Sequence, residues 1–295
     1  MYITTITFFV LAILLSGFGC SDPKKAIIPP EPEITEINVA WSPDGSTIAA
    51  TWSGPHTRHK RGIYLINTDN WEITPFLIEE GMGGYYYSPS WSSDGKWLAF
   101  ARNAQIYKIK LNGDSLTQLT STSRNWSCDW SDSDSLIMYH ITLGDSSGIW
   151  IMNSDGLNKK QLVRYGGHSS FIHGDSLLFI EYIRGAADTA HINIINPIDS
   201  STREVYRWVQ GHPYHYYTEP RLSPDGQTIV LSIETDIWTM SIDGDDLQQL
   251  TYKNDLYPGW SPDNTRIVFT RATVEGGDIY IINRDGTGLF KVSAF

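Results

Sequence analysis

Apolar and polar positions along this chain alternate in short runs, and one run recurs six times. It reads Ile63-Tyr64-Leu65-Ile66, Ile106-Tyr107-Lys108-Ile109, Ile149-Trp150-Ile151-Met152, Ile192-Asn193-Ile194-Ile195, Ile237-Trp238-Thr239-Met240 and Ile279-Tyr280-Ile281-Ile282. The leading isoleucines stand 43, 43, 43, 45 and 42 residues apart. Strand-like runs at a period in the forties are the mark of a radial β-repeat. A four-stranded unit of that size cannot bury both its faces alone, so the copies must pack around an axis. The pattern predicts an all-β fold, a six-bladed β-propeller of four-stranded antiparallel blades.

The remainder of each period fits one blade. Upstream of the repeated run come a tryptophan, a tight turn and an apolar run. Examples are Trp41-Ser42-Pro43-Asp44-Gly45 with Ile48-Ala49-Ala50, and Trp260-Ser261-Pro262-Asp263-Asn264 with Ile267-Val268-Phe269. Proline presets φ for a turn, and glycine or asparagine takes the left-handed position that follows. The third copy is degraded to Trp130-Ser131-Asp132-Ser133-Asp134, and the fourth keeps little beyond Phe171, Gly174-Asp175 and Leu177-Leu178-Phe179. Downstream lies a second turn (Asp155-Gly156, Asp243-Gly244, Asp285-Gly286), then a last short strand such as Leu247-Gln248-Gln249-Leu250-Thr251. Four β-rich runs joined by turn chemistry make the blade.

These phrases, W-S-P-D-G-x-x-I-A-F, then I-Y, then D-G, then Q-L-T, resemble the WD-repeat-like units of the TolB propeller. The resemblance covers residues 37–295. It implies a propeller scaffold, which is shared by peptidase propellers, sugar-lyase propellers and plain binding modules, so the scaffold alone does not name a function.

Composition adds location more than chemistry. A formal net charge of −11 argues against nucleic acid or an anionic surface as the main partner. Aromatic residues make up 13% of the chain, which suits the wide gaps between blades. Residues 1–19 carry no charge and lead through an apolar stretch to Ser16-Gly17-Phe18-Gly19-Cys20. Small residues before a cysteine resemble a bacterial lipoprotein signal. The expected organisation is a signal peptide over residues 1–20 ending at the lipidated Cys20, a Pro-rich tether over 21–36 and the propeller over 37–295. The expected location is the bacterial envelope, lipid-anchored in the periplasm or at the outer membrane. With Cys20 lipidated, Cys128 has no disulfide partner and reads as a buried small apolar residue. Blade one starts near Ile37 and blade six ends at 289–293, so closure by side-chain packing is expected; the alternative adds Ile34–Glu36 as a strand to the last blade.

If the strands of each blade run A to D outward from the axis, the Pro-Asp-Gly turns (A to B) and the Asp-Gly turns (C to D) share one face. The B–C and D–A loops share the other. The first is here named the turn face and the second the loop face. Function concentrates in variable loops on a rigid scaffold, and the loop face collects the polar aromatic and histidine side chains. The expected ligand-binding residues are Tyr86, Trp126, His168, His212, Tyr214, His215, Tyr217, Glu219, Asp255 and Tyr257. Counting back three residues from the strand-A tryptophan or its equivalent places Asn38, Ser88, Ser127, His168, Glu219 and Tyr257 around the axis. Counting back five places Glu36, Tyr86, Asn125, Tyr217 and Asp255 one step outward. Tyrosines with a polar edge suit sugars or peptides, although alternation assigns about half of each tyrosine run to blade packing. Arg58-His59-Lys60-Arg61 on a B–C loop reads as a solvated tip.

The sequence thus points to a monomeric, envelope-anchored binding module for a partner protein, peptide or oligosaccharide, with no cofactor, no metal and no catalytic residue assigned. The alternative is a metal-assisted polysaccharide lyase, because oligogalacturonate-type lyases, which this repeat also resembles, hold a metal in a histidine-lined funnel. No H-E-x-x-H occurs. Gly167-His168-Ser169-Ser170-Phe171 lacks the last glycine of a nucleophile elbow.

Overall fold

The computed structural model describes residues 37–53, 60–80, 84–121, 124–142, 144–164, 166–183, 189–209, 217–273 and 276–294, with backbone only at 182–183, 208–209, 217–218, 276 and 293–294. Six four-stranded antiparallel sheets are built, each from four consecutive strands. Their innermost strands, one per blade, are Val39–Trp41, Tyr86–Trp91, Asn125–Trp130, Gly166–Ile172, Tyr217–Leu222 and Asp255–Trp260. Contiguous blades agree with the period read from the sequence. Residues 31–36, where the alternative closing strand was placed, lie outside the described residues, as do Cys20 and the tether.

The second strand of every blade is buried on both faces, since each blade has a neighbour on either side. In Thr47–Trp52 the side chains of Ile48, Ala50 and Trp52 join Val268, Ile279 and Ile281 of the sixth blade. Ala49, between them, joins Leu98, Phe100 and Ile109 of the second. Period-two alternation therefore sends successive residues to opposite neighbours. The same rule produces one apolar cluster at each of the six blade-to-blade seams. The seam between blades one and six, built on Ile37, Val39 and Trp41, closes the ring through side chains.

The turns carry the chemistry expected of them. In the first blade Ser42 Oγ donates to Asp44 Oδ1 at 2.7 Å, Ser46 N donates to the same oxygen at 3.0 Å, and Gly45 takes a φ of 76°. Carboxylates also link neighbouring turns: Asp134 of the third blade accepts from Ser93 N (2.6 Å) and Ser93 Oγ (2.8 Å) of the second. In the sixth blade Arg284 donates to Asp225 of the fifth at 2.6 Å. Hydrogen bonds from Ser223 and Arg284 hold the Asp225 carboxyl well below the usual carboxylate range despite its partial desolvation.

Candidate functional site

Strand A departs from simple alternation at one place, and that departure shapes the loop face. Pairing with the second strand skips between Tyr87 and Ser90, between Gly167 and Ser169, between Thr218 and Arg221, and between Leu256 and Gly259. At each skip one residue is left-handed: Ser88 (φ 46°), His168 (44°), Glu219 (51°) and Tyr257 (58°). None is glycine, so each holds a backbone conformation that costs roughly 1 kcal/mol or more and persists only where the surroundings impose it. The third blade has a related bulge, with Trp126 and Ser127 opposite His140. These are the positions three residues before the strand-A tryptophan or its equivalent, and Ser88 is hydrogen-bonded to the blades on both sides. Ser88 N donates to Asn38 Oδ1 at 2.9 Å, and Cys128 Sγ to Ser88 O at 3.3 Å.

A bulge adds one residue and flips every side chain beyond it to the other face of the strand. The positions five before the tryptophan therefore turn inward to the preceding seam instead of lining a funnel. Tyr86 is 1% exposed and stacks on Phe100 at 5.9 Å. Asn125 is buried on Thr120 Oγ1 and Ala104 O of the second blade. Asp255 is fully buried and takes two hydrogen bonds from Arg271, from Nε at 2.6 Å and Nη2 at 2.8 Å. Tyr86 and Asp255 are thus committed to packing and to an internal ion pair, which corrects their expected place among ligand-facing residues. His212, Tyr214 and His215 lie outside the described residues, and Tyr217 is described only in its backbone.

The flip brings other aromatics out. Tyr85 and Tyr87 flank Tyr86 and lie with rings nearly parallel, 4° apart in plane and 6.5 Å between centroids. Trp126 of the next blade meets Tyr87 edge-on at 5.5 Å. The guanidinium of Arg61 sits 4.2 Å from the Tyr85 centroid and props that ring from one side. Trp126 Nε1 donates to Thr142 Oγ1 at 2.9 Å, which fixes the indole. Tyr85 (45%) and Trp126 (37%) are exposed, whereas Tyr87 is half-buried. The row Arg61–Tyr85–Tyr87–Trp126 spans three blades and forms a fixed aromatic platform.

Beside it stand two histidines. Burial, and second the neighbouring His140, push His168 down to about 4. Burial also lowers His140. Both imidazoles are neutral at pH 7. His191 is instead held by Glu204 Oε2 at 2.7 Å and Thr189 Oγ1 at 3.0 Å within its own blade. Glu219 and Tyr257 are half-buried at their bulges. Among the described residues no group of three or more His, Cys, Asp or Glu is placed to hold a metal ion.

The axis itself holds a constellation that motif reading passed over. One residue before each strand-A tryptophan or its equivalent comes Ala40, Ser90, Asp129, Ser170, Arg221 or Gly259. Asp129 accepts from Ser90 Oγ at 2.7 Å, from Phe171 N at 2.8 Å and from Arg221 Nη1 at 2.9 Å. One carboxylate thereby joins four blades. Two opposite charges in a column otherwise filled by small residues were the available signal. This cluster forms the floor of a cavity of about 340 Å³ that opens on the turn face and is lined by all six blades.

Comparison with known proteins places this geometry. The model of the "TolB beta propeller domain" family matches residues 32–178. The chain is a TolB-like six-bladed β-propeller. An uncharacterized protein of Agrobacterium fabrum is 26% identical over 242 residues, 76% of each chain. Among solved structures, a putative TolB from Agrobacterium tumefaciens superposes with a TM-score of 0.64 at 18% identity, covering 77% of this chain and 86% of that one. An oligogalacturonate lyase in complex with manganese superposes at 0.58 with 13% identity, covering 83% and 75%. At such identities these likenesses establish the fold of this TolB-like propeller and leave its ligand to its own side chains.

Proposed function

We propose that this TolB-like propeller is a binding module of the bacterial envelope, held by a lipid on Cys20, that takes a partner protein, peptide or oligosaccharide on its loop face. The observation that carries the reading is the aromatic platform, in which Tyr85 and Trp126 are exposed yet fixed by Arg61 and Thr142, with the half-buried Tyr87 between them. Rigid Tyr and Trp rings with polar edges lose little entropy on binding and supply large contact area. The left-handed bulges next to it hold the half-buried His168, Glu219 and Tyr257 in fixed positions, which a recognition surface needs. Glycan and peptide arrays probed with the full chain and with its Tyr85→Ala/Trp126→Ala variant test the reading. Ligands bound by the wild type and lost by the variant support it; ligands retained unchanged place recognition elsewhere.

One observation favours the lyase alternative: His168 and His140 lie together as neutral imidazoles, the form that ligates metals. Elemental analysis of the purified protein decides this second reading. A stoichiometric divalent metal that is lost in His168→Ala would support it.

A further inference from the structure

The turn face is short-looped, and the loop-face reading gives it no role. Yet it carries the mouth of the axial cavity. The wall is a ring of indoles from four blades, Trp41, Trp91, Trp130 and Trp260, completed by Phe171 and Leu222. Trp91 Nε1 donates to Ala40 O at 3.0 Å and Trp260 Nε1 to Arg221 O at 3.2 Å, each tying its ring to the preceding blade. The indole N–H groups of Trp41 and Trp130 are buried with no acceptor in the protein.

The floor is polar and balanced. Arg221 gives Asp129 one hydrogen bond from Nη1 and keeps a quarter of its side chain exposed. A guanidinium has five N–H donors, so further donors remain beside an ionised acceptor. The rim repeats the balance, with His173 Nδ1 3.1 Å from Asp132 Oδ2 and its Nε2 2.8 Å from Pro224 O. An anion entering would meet Asp129 and Asp132, and a cation would meet Arg221 and His173. Neither sign of charge is favoured. A neutral group bearing adjacent donors and acceptors fits both the pair on the floor and the aromatic wall, against which C–H faces pack.

We propose that this axial cavity is a second binding site, separate from the loop face, that takes one neutral sugar residue. Its volume of about 340 Å³ sits at the small end of ligand pockets and excludes a folded partner or a long chain. Vicinal hydroxyls of a pyranose can accept from Arg221 while donating to Asp129. Four indoles line the site, so occupancy reports itself in tryptophan fluorescence.

The test titrates the full chain with methyl glycosides of glucose, galactose, mannose and N-acetylglucosamine, following indole fluorescence and calorimetry. A ligand of that size is expected to bind with a Kd around 1 mM. Gly259→Leu places a side chain on the cavity wall, where its Cβ would meet Val268 Cγ1 at 3.5 Å and Val39 O at 3.8 Å, ordinary van der Waals contacts. It should weaken the sugar at least about tenfold, and Ala40→Leu on the first blade serves if that variant does not fold. Tyr85→Ala/Trp126→Ala, at the loop face, should leave the response unchanged. The proposal is overturned if no neutral glycoside binds, if simple diamides bind in their place, or if the loop-face variant removes the response and Gly259→Leu does not. Because the two variants sit on opposite faces, failure here leaves the loop-face reading standing.

Discussion

Arg221 of the fifth blade reaches past the fourth to Asp129 of the third, donating from Nη1 to Oδ2 at 2.9 Å between residues 92 apart in sequence. The pair spans the axis and sits largely out of water, with side-chain exposures of 25% and 14%. Breaking such a pair strands a charge, whereas replacing both partners together does not. Asp129→Ala should lower the unfolding free energy by about 3 kcal/mol, and Asp129→Leu/Arg221→Met should stay within about 1 kcal/mol of wild type. Urea denaturation of the three proteins measures this; equal losses in the single and double variants would show that Arg221 is not stranded by the single change.

Tyr85 and Tyr86 are adjacent in sequence and opposite in role. Tyr85→Ala removes an exposed ring and should change stability by less than about 1 kcal/mol. Tyr86→Ala empties a seam position stacked on Phe100 and should cost about 3 kcal/mol or more. Thermal melts of the two variants test the inverted alternation directly. A larger loss in Tyr85→Ala would mean the bulge at Ser88 is misplaced.

His168 sets an acid limit. Its pKa falls from 6.5 to about 4 on folding, so between those values the unfolded chain binds the extra proton. Stability from this group is therefore complete above pH 6.5 and declines as pH drops toward 4, at up to about 1.4 kcal/mol per pH unit. In His168→Gln the loss between pH 6.5 and 4 should be shallower. His140, the adjacent histidine with a lowered pKa, leaves part of the slope in place. Denaturation midpoints measured across that window, wild type against variant, check the sign.

The proposed anchoring rests on Cys20. Cys20→Ala should move the protein from the membrane fraction to the soluble one, because the Pro-rich segment that follows offers no apolar anchor of its own. Retention in the membrane with residues 1–19 still present would identify that segment as an uncleaved anchor.

The repeated Ile-Tyr and Trp-Ser-Pro-Asp-Gly phrases made blade number and strand order legible before any coordinates, since turn residues and period-two burial are local properties. The loop face was legible only in part. Counting alternate residues back from Trp91 or Trp260 puts Tyr86 and Asp255 toward the axis, and one inserted residue reverses that parity. The left-handed residues responsible are Ser, His, Glu and Tyr, none of which announces a positive φ as glycine does. The Asp129–Arg221 pair escaped for a different reason. Partners 92 residues apart share no local pattern, and only the closed ring brings them together.

The four left-handed bulges have one backbone form and four unrelated side chains: a hydroxyl, an imidazole, a carboxylate and a phenol. Conformation there is dictated by the skipped ladder pairing, while the hydrophobic seams lie a residue or more away. Chemistry and architecture are thus written at separate addresses. On the loop-face reading proposed above, relatives that keep the seams can exchange these four letters and change their ligand without learning a new way to fold.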